Sequence, residues 1–134
     1  MTNAAVVIVA LTLFGEAAGE ARAGKMAVAS VIWNRAGGVP ERTAEVCVKP
    51  RQFSCWNGGK TPVVPDEAPS RTAYAECLRI AESQFGGTFK PTVHADHYHA
   101  VRVSPRWAKS MRYAGRIGRH VFYSSAKSEI AKGD

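Results

Sequence analysis

The chain has 134 residues, 46% of them hydrophobic and 22% charged, which excludes a disordered or fibrous protein and leaves room for one folded domain but not two. Eighteen Lys and Arg against eleven Asp and Glu give a net charge of +7, which favours encounter with a polyanion such as nucleic acid, anionic lipid or an acidic wall polymer without choosing among them. Three cysteines, Cys47, Cys55 and Cys77, are too few for a disulfide scaffold and lack the paired C-x-x-C spacing of structural zinc sites, so packed or free thiols are expected.

The first element is read as a helix from Ala4 to about Ala18, Ala-rich and apolar on all sides, with Asn3 as N-cap and Gly19 as the stop. Its Val-Val-Ile-Val stretch also fits a strand. The length of the run and its Gly-Glu-Ala-Ala-Gly-Glu ending favour the helix. The apolar part, Ala4 to Phe14, is well short of the roughly 18 residues a membrane span requires, so no membrane insertion is expected. No cation precedes it, Arg22 being the first, and the expectation is a chain without a cleaved signal, cytoplasmic until released.

A second, amphipathic helix is expected from about Ala23 to Ala36, with Val28, Val31, Ile32 and the stem of Arg35 on one face and Gly37-Gly38 ending it. Between Val39 and Pro69 stand five prolines and Gly58-Gly59, which predicts mostly loop with only short regular pieces. A third helix spans about Ser70 to Phe85, its face of Tyr74, Cys77, Leu78, Ala81 and Phe85 turned to the core. After Pro91 the pattern becomes short and β-like, around Thr92 to Val103 and again His120 to Ser124, with a cationic segment between.

Four features carry candidate chemistry. Glu16 falls in the last turn of an apolar helix, where desolvation and the negative end of the helix dipole both push a carboxyl pKa upward, as suits a general acid. A solvated Glu at a helix end is the bland alternative, and Glu20 is read as exposed or as a support for Glu16. Gln52-Phe53-Ser54-Cys55-Trp56-Asn57 alternates aromatics with hydrogen-bonding groups in a loop, a mixture that suits a sugar or, equally, a plug tethering the loop to the core.

His94-Ala95-Asp96-His97-Tyr98-His99 places three imidazoles and a carboxylate together, yet as a strand only His97 and His99 share a face, and there is no His-Glu-x-x-His element. No metal or other cofactor is therefore expected. The row Arg102, Arg106, Lys109, Arg112, Arg116 and Arg119 reads as a polyanion stripe or a solvated face, and Pro105, Gly115 and Gly118 argue against one continuous helix through it.

In order along the chain, Phe14-Gly-Glu-Ala-Ala-Gly-Glu20, Gly24-Lys-Met-Ala-Val-Ala-Ser-Val-Ile-Trp-Asn-Arg35, Gln52-Phe-Ser-Cys-Trp56, His97-Tyr-His99 and Arg116-Ile-Gly-Arg-His-Val-Phe-Tyr123 resemble the SleB-type cell wall hydrolases, a family that includes spore cortex-lytic enzymes and phage lysins. The resemblance implies a mainly α fold with a small β element (α+β), a lysozyme-like catalytic domain spanning residues 1–134. It implies cleavage of peptidoglycan glycan strands, with Glu16 as catalytic acid in a lytic transglycosylase scheme that needs one carboxylate. Gln52, Phe53, Ser54, Trp56, His97, Tyr98 and His99 would bind substrate, with Glu20 as a supporting acid; Asp96, where the chain departs from the family, is read either as a second supporting acid or as a solvated residue, and a monomer with no nucleic acid partner is expected.

The chain departs from the family at Ala18, where Arg is usual, at Lys25, where Gln is usual, and at Asp96, where Thr commonly stands. A Cys47–Cys55 pair is also implied by the resemblance. The rival reading is a noncatalytic domain that binds an anionic polymer through the cationic row with Trp107 and Tyr113 as stacking groups. A metal-dependent hydrolase using His94, His97 and His99 is a weaker third.

Overall fold

A computed structural model describes residues 3–125. Helix α1 (Ala4–Ala17) runs through the centre, burying Val6, Val9, Ala10, Leu13 and Ala17. Asn3 caps it by accepting a hydrogen bond from the Val6 N–H at 2.9 Å. Around it pack α2 (Arg22–Arg35), α3 (Pro40–Val48) and α4 (Ala68–Gly86), followed by β1 (His97–Ala100), β2 (Arg112–Ile117) and β3 (His120–Ser124). Short 3₁₀ segments occupy Ser54–Gly59 and Arg106–Ser110.

Two expectations are corrected. The Pro-rich stretch contains a nine-residue helix, α3, because Pro40 opens it at a position where a missing N–H costs nothing and Pro50 lies beyond its end. Strand β2 lies inside the cationic segment; four of its six residues are exposed, so the apolar alternation that marks a half-buried strand is absent.

The sheet is antiparallel in the order β1-β3-β2. Cross-strand partners share a face, so Tyr98, Phe122 and Gly115 form a row on one side, and Tyr113, Tyr123 and His97 a row on the other. The first side faces the core: in β3, His120, Phe122 and Ser124 are buried while Val121 and Tyr123 are half-exposed. At the β2–β3 turn Gly118 takes a φ of +57°, and a Cβ there would collide with the Glu20 carboxylate packed against it.

Helix α2 sets where β1 begins. Asn34 Nδ2 donates to the carbonyls of Val93 (3.1 Å) and Ala95 (2.8 Å), Arg35 Nε donates to Asp96 O (2.7 Å), and Ser30 Oγ accepts from the Thr92 N–H (2.8 Å). Four bonds from one helix thus fix the segment that delivers Tyr98 to the core. Lys25, only 4% exposed, is neutralised by Glu76 Oε1 at 3.2 Å and donates to the Glu20 carbonyl, which ties α2 to α4 and to the end of the α1–α2 turn.

Candidate active site

Glu16 occupies the last turn of α1 and is half-buried. The Tyr98 hydroxyl, coming from β1, donates to Glu16 Oε1, and the Cys55 thiol, coming from the 3₁₀ segment, lies close enough to feel the carboxylate. Helix and loop meet this closely because residue 15 is Gly: a Cβ there would stand 2.6 Å from Cys55 Cβ. Desolvation, then the charge and hydrogen bond of Glu16, raises the Tyr98 hydroxyl well above its usual pKa. The same causes in the same order push Cys55 up to about 12. Both groups therefore remain protonated throughout the physiological range, Tyr98 as a donor to the carboxylate.

A cavity of about 480 Å³ opens beside this cluster, lined by Glu16, Glu20, Ser54, Tyr98, Arg102, Arg119 and His120 among others. Glu20 enters it, but its Oε1 accepts the Arg119 N–H at 3.1 Å and so pins the β2–β3 turn. Of the residues expected to act together, the structure brings Glu16, Glu20, Ser54 and Tyr98 into one cavity. Tyr98 stands behind the acid as a hydrogen-bond donor, with its ring in the core cluster.

The remaining expected substrate residues lie elsewhere. Phe53 is 2% exposed, so its ring has no face to offer a sugar; it packs 6.5 Å from the Tyr98 ring with the Arg35 guanidinium 5.2 Å from its centroid. Trp56 donates through Nε1 to Thr12 Oγ1 at 2.8 Å and fastens the loop to α1, the plug alternative raised by its sequence. His97 and His99 face away from Glu16 on the outer side of β1, where His99 Nε2 meets the Tyr123 hydroxyl at 3.1 Å and Trp107 packs against both imidazoles.

Gln52 Oε1 accepts from Arg35 Nη1 at 3.0 Å, and together with His97 and Asp96 it lines a separate cavity. Asp96 is buried there, not beside Glu16, and its carboxylate accepts from the Ser125 N–H (2.9 Å) and hydroxyl (3.0 Å) and lies 3.0 Å from His97 Nδ1. The placement corrects its reading as a support for Glu16. Cys47 and Cys55 are both free thiols, in place of the pair the resemblance implied. Among the described residues, no three His, Cys, Asp or Glu side chains are grouped as a metal ion would require.

Sequence reasoning missed His120. Its ring meets Tyr98 edge-on at 4.9 Å, and its Nδ1 is buried with no hydrogen-bond partner among the described residues. Burial lowers its pKa below 6.5, against the opposing pull of Glu20 and Glu16 and with a small further push from His99. A histidine that resists protonation when folded binds fewer protons than in the unfolded chain, so its contribution is complete above about pH 6.5 and is lost as pH falls through the folded-state pKa. Thermal melts from pH 7.5 down to pH 5 are expected to show a falling Tm that His120→Phe flattens; an unchanged slope in that variant would assign the acid sensitivity to other groups.

The comparisons with known proteins decide the family. The Cell Wall Hydrolase family model matches residues 19–123. The chain belongs to the cell wall hydrolase family. This cell wall hydrolase is 29% identical over 119 residues to a spore cortex-lytic enzyme of Halalkalibacterium halodurans, an alignment covering 87% of the chain and 34% of that protein. The chain thus spans about a third of the length of that curated relative.

Its fold is shared with the catalytic domain of the germination-specific lytic transglycosylase SleB from Bacillus anthracis, at a TM-score of 0.66 and 24% identity, covering 92% of this chain and 97% of that one. A crystal structure of the catalytic domain of the Bacillus cereus SleB protein matches at 0.59 and 24%, covering 90% and 89%. The mainly α class with a small sheet, expected from the sequence, is the class observed, and its fold is that of the SleB catalytic domain. Among the described residues no helix is long and apolar enough to cross a membrane.

Proposed function

We propose that this cell wall hydrolase cuts peptidoglycan between N-acetylmuramic acid and N-acetylglucosamine as a lytic transglycosylase, with Glu16 as acid and then base. The supporting observation is the position of one carboxylate, at the end of the core helix beside an open cavity, held by a phenol and neighboured by a thiol, both of which stay protonated. The family match begins three residues after Glu16, so this role rests on geometry.

In the reaction, Glu16 gives its proton to the glycosidic oxygen as the bond to C1 of the muramic acid breaks. The carboxylate left behind takes the proton of that sugar's own 6-hydroxyl, whose oxygen closes on C1 as an anhydro ring. Hydrolysis would instead need a second carboxylate to activate water or to attack C1. Glu20 is engaged by the Arg119 N–H, and Asp96 lies in the other cavity, which supports the one-acid scheme.

Digestion of purified peptidoglycan, followed by mass spectrometry of the soluble fragments, tests the reading. Anhydro-muramic ends are expected. Reducing ends would make the protein a hydrolase, and absence of any fragment would make it a binder of the wall polymer.

A further inference from the structure

The cavity that Gln52 shares with His97 and Asp96 has a volume of about 470 Å³ and is rimmed by three cations, Arg35, Arg42 and Lys49. Arg35 is a fixed member: its Nε donates to Asp96 O and its Nη1 to Gln52 Oε1, and burial is the main influence on it. Arg42 from α3 and Lys49 just beyond it are exposed and line the same cavity. Asp96 is the one acid in the lining, its oxygens occupied by Ser125 and His97.

This cavity and the Glu16 cavity flank the same two segments. Gln52 and His97 line one, while Ser54 and Tyr98, a residue or two along, line the other. Arg35, Phe53, Tyr98 and Glu16 form a contact series between them, and Arg35 and Glu16 feel each other's charge. A polymer laid over residues 52–54 with Glu16 at its scissile bond therefore meets the cationic cavity next.

We propose that this cavity is a carboxylate subsite, which takes an acidic group carried on the muramic acid branch of the glycan. The inference rests on the lytic reading above and adds to it a charge requirement on the substrate. Three cations against one occupied carboxylate leave a positive lining that favours an anion, with Arg42 and Lys49 exposed at its rim. A phosphate group is the poorer fit, because part of the wall is the C-terminal end of α2, at Asn34, Arg35 and Gly37, whose negative dipole end weighs more heavily on a doubly charged phosphate than on a singly charged carboxylate.

The test compares binding of Glu16→Gln protein, which holds the wall without cutting it, to three preparations: intact peptidoglycan, peptidoglycan with its carboxyls converted to amides, and strands stripped of peptide, in which hydrolysis of the amide to the peptide has freed the lactyl carboxylate. Amidation is expected to weaken binding by about tenfold, and the further changes Arg42→Gln and Lys49→Gln to abolish that discrimination. Both positions are exposed, and a thermal melt checks that the variant is folded. Stripped strands that bind as well as intact ones show that the freed lactyl carboxylate fills the subsite as well as the peptide's own carboxylates do; stripped strands that bind as poorly as amidated ones assign the peptide. Either supports the subsite.

Equal binding of intact and amidated wall, or discrimination that survives the double change, would overturn it. If affinity instead falls only when phosphate-bearing wall polymers are extracted, the ligand is a phosphate and the proposal fails. Because the readout is binding, expected discrimination by Glu16→Gln alongside a wild-type protein that never released fragments would overturn the lytic reading and leave the subsite standing.

Discussion

Glu16→Gln is expected to lower kcat on peptidoglycan by about 10²–10⁴-fold, the range that loss of a positioned proton donor costs, while leaving the fold unchanged. The amide has the shape of the carboxylic acid and keeps an oxygen to accept from Tyr98, while the 3₁₀ segment packs on Gly15, so the helix end, the 3₁₀ segment and β1 stay docked. It cannot hand over a proton and take one back. Turnover of soluble glycan strands measured beside a thermal melt separates the two effects. A variant that loses activity because it has lost stability would fail this expectation as clearly as one that keeps its turnover.

Phe122→Ala is expected to destabilise the protein by about 3–5 kcal/mol, a large fraction of the ~5–15 kcal/mol that holds a typical domain together. Phe122 is fully buried in the central strand, with its ring 5.6 Å from that of Tyr98 and 6.2 Å from that of His120. Its removal opens a void behind the residue that holds Glu16, so activity should fall even where the variant remains folded. Urea unfolding reads the change as a lower midpoint with an unchanged slope. Tyr113, at 63% exposure on the outer face of the same sheet, is the control: Tyr113→Ala should shift the midpoint within about 0.5 kcal/mol.

The helices were legible where a local pattern was enough. α1 is longer and more apolar than a strand would be, and α4 shows a clear buried stripe ending at glycine. α3 was hidden because proline density reads as loop, although Pro40 and Pro50 bracket a helix and neither interrupts it. β2 was hidden because its register is set by pairing with β3, a contact that leaves no trace in so exposed a sequence.

The same division runs through the site. Glu16 could be singled out because its place at the end of an apolar run is a local property. That His97 and His99 share one face and Tyr98 takes the other was also readable, since parity along a strand is local. Which face meets the core was not, because it depends on Phe122 and His120 arriving from β3. Phe53 and Trp56 show the limit most plainly: an aromatic in a loop has the same sequence signature whether it faces a ligand or the interior, and here one is buried and the other is fastened to Thr12.

The most direct measurement is a parallel digestion of purified peptidoglycan by the wild-type protein, Glu16→Gln and Glu20→Gln, with the fragment ends read by mass spectrometry. Wild type and Glu20→Gln are predicted to release anhydro-ended fragments and Glu16→Gln none above background. Release by Glu16→Gln at the wild-type rate, or silence from a folded Glu20→Gln, would contradict the assignment of the chemistry to a single acid at position 16.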